Sequence, residues 1–184
     1  MMGLTIYISS SWKNKEQVRL LADRLREKFH RVYDFTDPKG RMYKPIPPEE
    51  FPEEFNPEIH CYKDYLFREG WFKAVTENRL RLGDADVVLL LLPAGNDAHA
   101  DWGFAVGRGK WTAVIGRPRK GERTPTHLWA HAFFETVDEF LDWFLGVGGV
   151  YAVSDWIHRQ NLKRSEYGLV MEALHGPNPW AAKK

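Results

Sequence analysis

An acid, a tyrosine, a run of serines and a histidine stand in this sequence where close turns are favoured, and they define its candidate chemistry. The stretch Pro93-Ala94-Gly95-Asn96-Asp97-Ala98-His99-Ala100-Asp101-Trp102-Gly103-Phe104-Ala105 follows an apolar run and reads as a loop opening into a helix. With Asp97 as the capping residue, Asp101 ends the first turn, near free N–H groups and the positive end of the helix dipole. That setting favours the ionised carboxylate. An ionised carboxylate beside a ligand crevice can serve as nucleophile or base. Acids are also selected in first turns for helix stability alone, so both roles stay open. Ser9, Ser10 and Ser11, ended by Trp12, offer hydroxyls and N–H groups to a sugar hydroxyl or a phosphate, and equally to capping. Tyr7 can reach a site carboxylate with its hydroxyl or be a core tyrosine. His99 can contact substrate or act as an acid, or be an ordinary loop histidine. The seven His include no HExxH, which argues against a metal site. Gly107-Arg108-Gly109-Lys110 lacks Walker A spacing and reads as a helix end. No cofactor is implied.

These residues need a scaffold. Leu4 to Ile8 is a β-rich run, followed by a helix with capping-box spacing at Asn14 and Gln17 and a stripe of Val18, Leu21, Ala22, Leu25 and Phe29. Arg31 to Phe35 reads as the second strand. Residues 36–58 carry Pro38, Pro45, Pro47, Pro48, Pro52 and Pro57, so an irregular binding loop or lid is expected, with Tyr43, Phe51 and Phe55 arguing for packing. A helix from about Asp64 to Leu82 places Phe72, Val75 and Leu82 on one face, with Asn78 near it and Glu77 off it. Asp86 to Leu92 reads as a strand, apolar from Val87 onward without alternation, the mark of a strand buried on both faces. After the 93–97 loop, a helix from about Ala98 carries Trp102, Ala105 and Val106 inward. Lys110 to Ile115 and Ala130 to Phe134 give two further strands, and Thr136 with Glu139 opens a helix over Val137 to Leu145. Gly146-Val147-Gly148-Gly149 reads as a hinge or linker, and Ser154 to His175 as a helix closed by Gly176 and Pro177.

Strands alternating with helices predict an open parallel five-stranded α/β sheet, order 2-1-3-4-5, helices on both faces, flavodoxin-like or Rossmann-like in winding. A domain over 1–145 and a helical appendage over 146–184 are expected. The winding reverses between strands one and three, and ligands of open α/β sheets bind there, outside the carboxyl ends of the strands. The loops concerned are Ser9 to Asn14 and Pro93 to Ala100.

Composition narrows the partners. Among 184 residues the net charge is +1, which gives no field for nucleic acid. Cys61 is the single cysteine, so no intrachain disulfide forms, which favours a reducing compartment. The N-terminus lacks a basic region and apolar signal core, and the longest apolar run, Val87 to Ala94, is far short of a membrane helix. A cytoplasmic protein is expected, with no membrane contact. Trp143, Trp156 and Trp180 and the terminal helix suggest a homo-oligomer, with a Trp-rich core as the plainer alternative.

The chain resembles the nucleoside 2-deoxyribosyltransferase family and its short phage-type and bacterial relatives. Thr5-Ile6-Tyr7 through Ser11-Trp12 resembles the family's opening strand and loop, and Asp84-Ala85-Asp86 with the following apolar run its third strand. The stretch from Gly95 to Lys110 resembles the signature in which a catalytic acid precedes x-Gly-aromatic-Ala and, further on, Gly-Lys. The similarity spans roughly residues 4–145. It implies cleavage of the N-glycosidic bond of a deoxynucleoside through a glycosyl ester, the sugar then passing to another base or to water. It puts Asp101 at the place of the nucleophile, Tyr7 as its orienting partner, and Gly95, Asn96, Asp97 and His99 facing the sugar opposite Ser9, Ser10 and Trp12. Two positions depart from the family: its nucleophile is typically Glu, and it usually has an Asp, which handles the base, where this chain has Asn78. The implied partner is a nucleoside or nucleoside 5′-monophosphate. The alternatives are a weakly active or inactive nucleotide-binding module and, third, cleavage of NAD-type dinucleotides.

Overall fold

The computed structural model describes residues 3–28, 31–37, 56–67, 69–122, 124–146 and 148–175. Among them five short strands, β1 (Thr5–Ser9), β2 (Arg31–Tyr33), β3 (Val87–Leu91), β4 (Trp111–Ile115) and β5 (Ala132–Phe134), form one parallel sheet. Its order is β2-β1-β3-β4-β5, the flavodoxin-like winding expected from the sequence. The register puts Tyr7 opposite Val88 and Ser9 opposite Leu90, so β1 and β3 end side by side.

Side chains alternate across a strand, and both faces of this sheet are covered. Ile6, Ile8, Leu89 and Ile115 point to one face, where they meet Val18, Leu21, Ala22 and Leu25 of α1 (Lys15–Arg26) and Phe140 and Phe144 of α5 (Val137–Leu145). Tyr7, Val88, Leu90 and Val114 point to the other, against Leu82 of α3 (Glu69–Asp84) and Ala98, Trp102 and Ala105 of α4 (Asn96–Gly107). The unbroken apolar run of β3 follows from this, because all five of its residues are buried. Trp102 is fully buried, and truncation to Ala would cost about 3–5 kcal/mol.

Several expectations need correction. The capping box at Asn14 does not form: Ser11 caps a 3-10 turn over Trp12–Asn14, and the Asn14 side chain donates elsewhere. The helix expected over 64–82 is two helices, α2 (Tyr62–Leu66) and α3. On α3 the inner face is Ala74, Leu82 and the following Ala85, while Phe72 and Val75 are exposed at 61% and 64%. At Thr136 the cap forms, its hydroxyl accepting from Glu139 N–H at 3.1 Å, but the Glu139 carboxylate turns to the N–H of Glu135.

Gly149 makes a tight joint where a hinge or linker was expected. A Cβ at Gly149 would lie 2.5 Å from Phe144 Cα and 2.3 Å from the Trp143 carbonyl oxygen, so only glycine lets α6 (Gly149–His175) start against the end of α5. This helix begins five residues earlier than expected, and its Val153 is fully buried in the core on the α1 side. Trp143 stacks on Trp111 at 5.8 Å and Trp156 meets His131 edge-on at 4.5 Å, so both tryptophans are engaged within the chain. Phe29, Tyr43, Phe51, Phe55, the prolines at 38–52, Gly176, Pro177 and Trp180 lie outside the described residues. No helix among the described residues is long and apolar enough to cross a membrane.

Candidate active site

Strand alternation sends Tyr7 to the face covered by α4, and there its hydroxyl donates to Asp101 Oδ2 at 3.1 Å. Ninety-four residues of chain separate the pair. Ala98, Trp102 and Ala105, at helical spacing, press α4 onto the sheet, and Asp101 comes down beside Tyr7 as a half-buried neighbour of Trp102.

The electrostatics differ from the sequence expectation. Gly95, not Asp97, is the capping residue, so Asp101 is the sixth residue of α4 and lies past the free N–H groups of the first turn. Burial then dominates and pushes its pKa up from the ordinary 3.8 to about 6. The Tyr7 hydroxyl pulls the other way by bonding the charged form, and the charge of Asp97, one turn earlier, adds to the rise. Near pH 6 the group is half ionised. At pH 8 it is a carboxylate whose solvation is incomplete, the state that suits a nucleophile.

The two switch-point loops are tied to each other. Ser9 Oγ donates to the Ala98 carbonyl at 3.2 Å and Ser10 Oγ to the Leu91 carbonyl at 2.7 Å. Asn14 Nδ2 donates to Ser10 Oγ at 3.2 Å and to the Leu92 carbonyl at 3.3 Å. The protons of Ser9 and Ser10, expected to meet a ligand, are therefore spent holding the end of β1 and its loop against α4 and the end of β3. Trp12 stays partly open to solvent and rests on Phe35 at 4.7 Å between ring centres. Behind it, buried Asp34 accepts from Arg26 and from Thr36 N–H at 2.8 Å, fixing the end of β2. Asn78 is half-buried on the inner side of α3, one turn from both Ala74 and Leu82. Glu77 pairs with Arg81 at 3.3 Å. Asn96 and Asp97 are exposed on the first turn of α4.

His99 is neither in the loop nor solitary. It sits in the first turn of α4 and its Nδ1 lies 2.9 Å from the Gly95 carbonyl oxygen, which can only accept, so Nδ1 carries the hydrogen. Its Nε2 lies 3.1 Å from Nε2 of His127, and the rings stack with centres 5.2 Å apart. Burial and the neighbouring His99 hold the His127 pKa below 6.5, against the opposing pull of Glu122. Glu122 makes a second tie, accepting from Ala94 N–H. His127 and Glu122 were missed from sequence, since a separation of 28 residues carries no periodic signal. His127 also lines a cavity of about 240 Å³, with Leu92, Val114, Phe133, Glu135 and Glu139. Tyr7 and Asp101 do not line it. Among the described residues no group of three or more His, Cys, Asp or Glu is placed to hold a metal ion.

No family model matches this chain, and no curated protein does. Among solved structures it is similar to a 2-deoxyribosyltransferase from the psychrotolerant bacterium Bacillus psychrosaccharolyticus, with 20% identity, a TM-score of 0.43, and coverage of 73% of this chain and 88% of that chain. A likeness of that degree carries no function across, so any activity must be argued from the site itself.

Proposed function

We propose that this chain cleaves or transfers at the N-glycosidic bond of a nucleoside or nucleoside 5′-monophosphate, with Asp101 as nucleophile. The observation that carries this reading is the half-buried Asp101 carboxylate bonded by the Tyr7 hydroxyl at the β1–β3 switch point, where ligands of open sheets bind. One oxygen of Asp101 attacks the anomeric carbon. The bond from that carbon to the base nitrogen breaks, and its electron pair leaves with the base, which takes a proton from solvent. The resulting ester is opened by water, or by a second base, at the same carbon, and Asp101 is restored. Tyr7, donating to Oδ2, holds the carboxylate in place. Trp12 and Asn78 flank the sugar and base, Asn78 by hydrogen bonding, since an amide has no acidic proton to give. Gly95, Asn96, Asp97 and His99 line the sugar side. The serines act through loop position, because their hydroxyls are already engaged.

A second reading is a nucleotide-binding module with little turnover. The neutral amide of Asn78 favours it, because departure of an ordinary base is helped by an acid. One experiment separates the two: incubation with a panel of nucleosides and 5′-monophosphates, following free base by chromatography and binding by calorimetry. Base release abolished by Asp101→Ala supports the enzyme. Saturable binding with no release supports the module. No release and no binding with any member rejects both.

A further inference from the structure

The cavity beside His127 lies at the carboxyl ends of β3, β4 and β5, the sheet edge at which open parallel folds take ligands, and neither Tyr7 nor Asp101 lines it. Its volume of about 240 Å³ is below the roughly 300–1,000 Å³ of sites for drug-sized molecules, so its occupant is small. Leu92, Val114 and Phe133 give it apolar walls. Gly116, with φ of 91°, lets the chain after β4 pass so close that a Cβ there would sit 2.8 Å from the Leu92 carbonyl oxygen.

The polar lining is one-sided. Because His99 Nδ1 bears the hydrogen, Nε2 of neutral His99 accepts, and His127 Nε2 is the donor between them. His127 Nδ1 is then a bare lone pair, and none of the described residues bonds to it. Glu135 is held by Arg117. Glu139 accepts the Glu135 N–H with one oxygen at 2.7 Å, and its other oxygen bonds none of the described residues. Both unengaged groups are acceptors.

We propose that this cavity is a binding site for a small planar ring bearing N–H donors, an amino-heterocycle or amidine. His127 Nδ1 and Glu139 accept its hydrogens and Phe133 covers its face. A donor on Nδ1 fixes the tautomer whose Nε2–H points at His99, so an occupant also tightens the tie to the first turn of α4.

The test is calorimetry of the intact chain with benzamidine, which is planar and carries only donors, and with benzoate, which is planar and carries only acceptors. Imidazole nitrogen signals are followed by NMR alongside. Benzamidine is expected to bind saturably and move the His127 signals, with benzoate silent. Glu139→Gln, a conservative change at an exposed side chain, is expected to weaken benzamidine about tenfold through loss of one charge-assisted hydrogen bond. Asp101→Ala, outside this cavity, is expected to leave benzamidine affinity unchanged whatever it does to base release, so failure here and failure of the proposed function are distinguishable. Absence of benzamidine binding, equal binding of benzoate, an unchanged affinity in Glu139→Gln, or unmoved His127 signals would each overturn the proposal.

Discussion

Replacing Asp101 with Asn separates the energetic cost of this carboxylate from the contacts it makes. Asn matches its size and keeps an oxygen to accept the Tyr7 hydroxyl, so packing and the 3.1 Å hydrogen bond can persist while the charge goes. In the folded chain the Asp101 pKa is raised from 3.8 to about 6. Between those values the folded state binds the proton that the unfolded state has released, so the wild-type loses stability as pH rises through that window. Below about pH 4 the group contributes no such loss. Above about pH 6 the loss is complete, and at about 1.4 kcal/mol per pH unit it amounts to roughly 3 kcal/mol. Urea unfolding of both proteins from about pH 4 to about pH 8 reads this directly, because titrations common to both cancel in the difference. The variant is expected to gain on wild-type across the window and to be more stable by about 3 kcal/mol at pH 8, or roughly 6–12 °C in melting temperature. Base release should be lost in the same variant, a stability gain bought with function. A difference that stays flat with pH would refute the claim that burial raises this acid.

Further outcomes follow from the same geometry. Activity limited by ionised Asp101 should rise with pH through about 6 and then level off. Tyr7→Phe, which removes the bond that lowers that pKa, should move the limb to higher pH and cut kcat/KM on the order of a hundredfold, read from pH–rate profiles. The His127 ring should titrate below the ordinary 6.5, and His99→Ala should bring its midpoint upward by removing an imidazole whose protonated form opposes a charge on His127, as followed by proton NMR. Gly116→Ala should destabilise by at least about 1–2 kcal/mol in urea unfolding, since the φ of 91° disfavours any side chain and Leu92 O leaves no room for a Cβ. Exposed Ile59, Leu66, Phe67, Phe72 and Val75 on and beside α2 and α3 should drive self-association, seen by light scattering as a mass above that of the monomer.

The parallel order was readable because β3 is apolar at every position, and only a strand covered on both faces needs that. From that order came the switch point, whereas Tyr7 as the partner of Asp101 was one of two open readings there and was singled out by the family resemblance. What stayed hidden was whatever depends on the exact turn. Asn14 has the spacing of a helix cap, but its amide binds the Leu92 carbonyl from the next loop, a partner 78 residues away that no local pattern reveals. Phe72 and Val75 suggested a buried face on hydrophobicity alone, whereas the packed face runs through the smaller Ala74 and Ala85. A two-residue shift of the α4 cap, from Asp97 to Gly95, changed most. It moved Asp101 from the first turn, where helix ends stabilise a carboxylate, to a half-buried place where charge is costly. An acid that serves only its helix is found where its charge helps. Asp101 is found where its charge destabilises the fold and is offset only in part by one tyrosine hydroxyl. That local conflict, on a helix otherwise well packed, is the observation on which the proposed role of Asp101 rests.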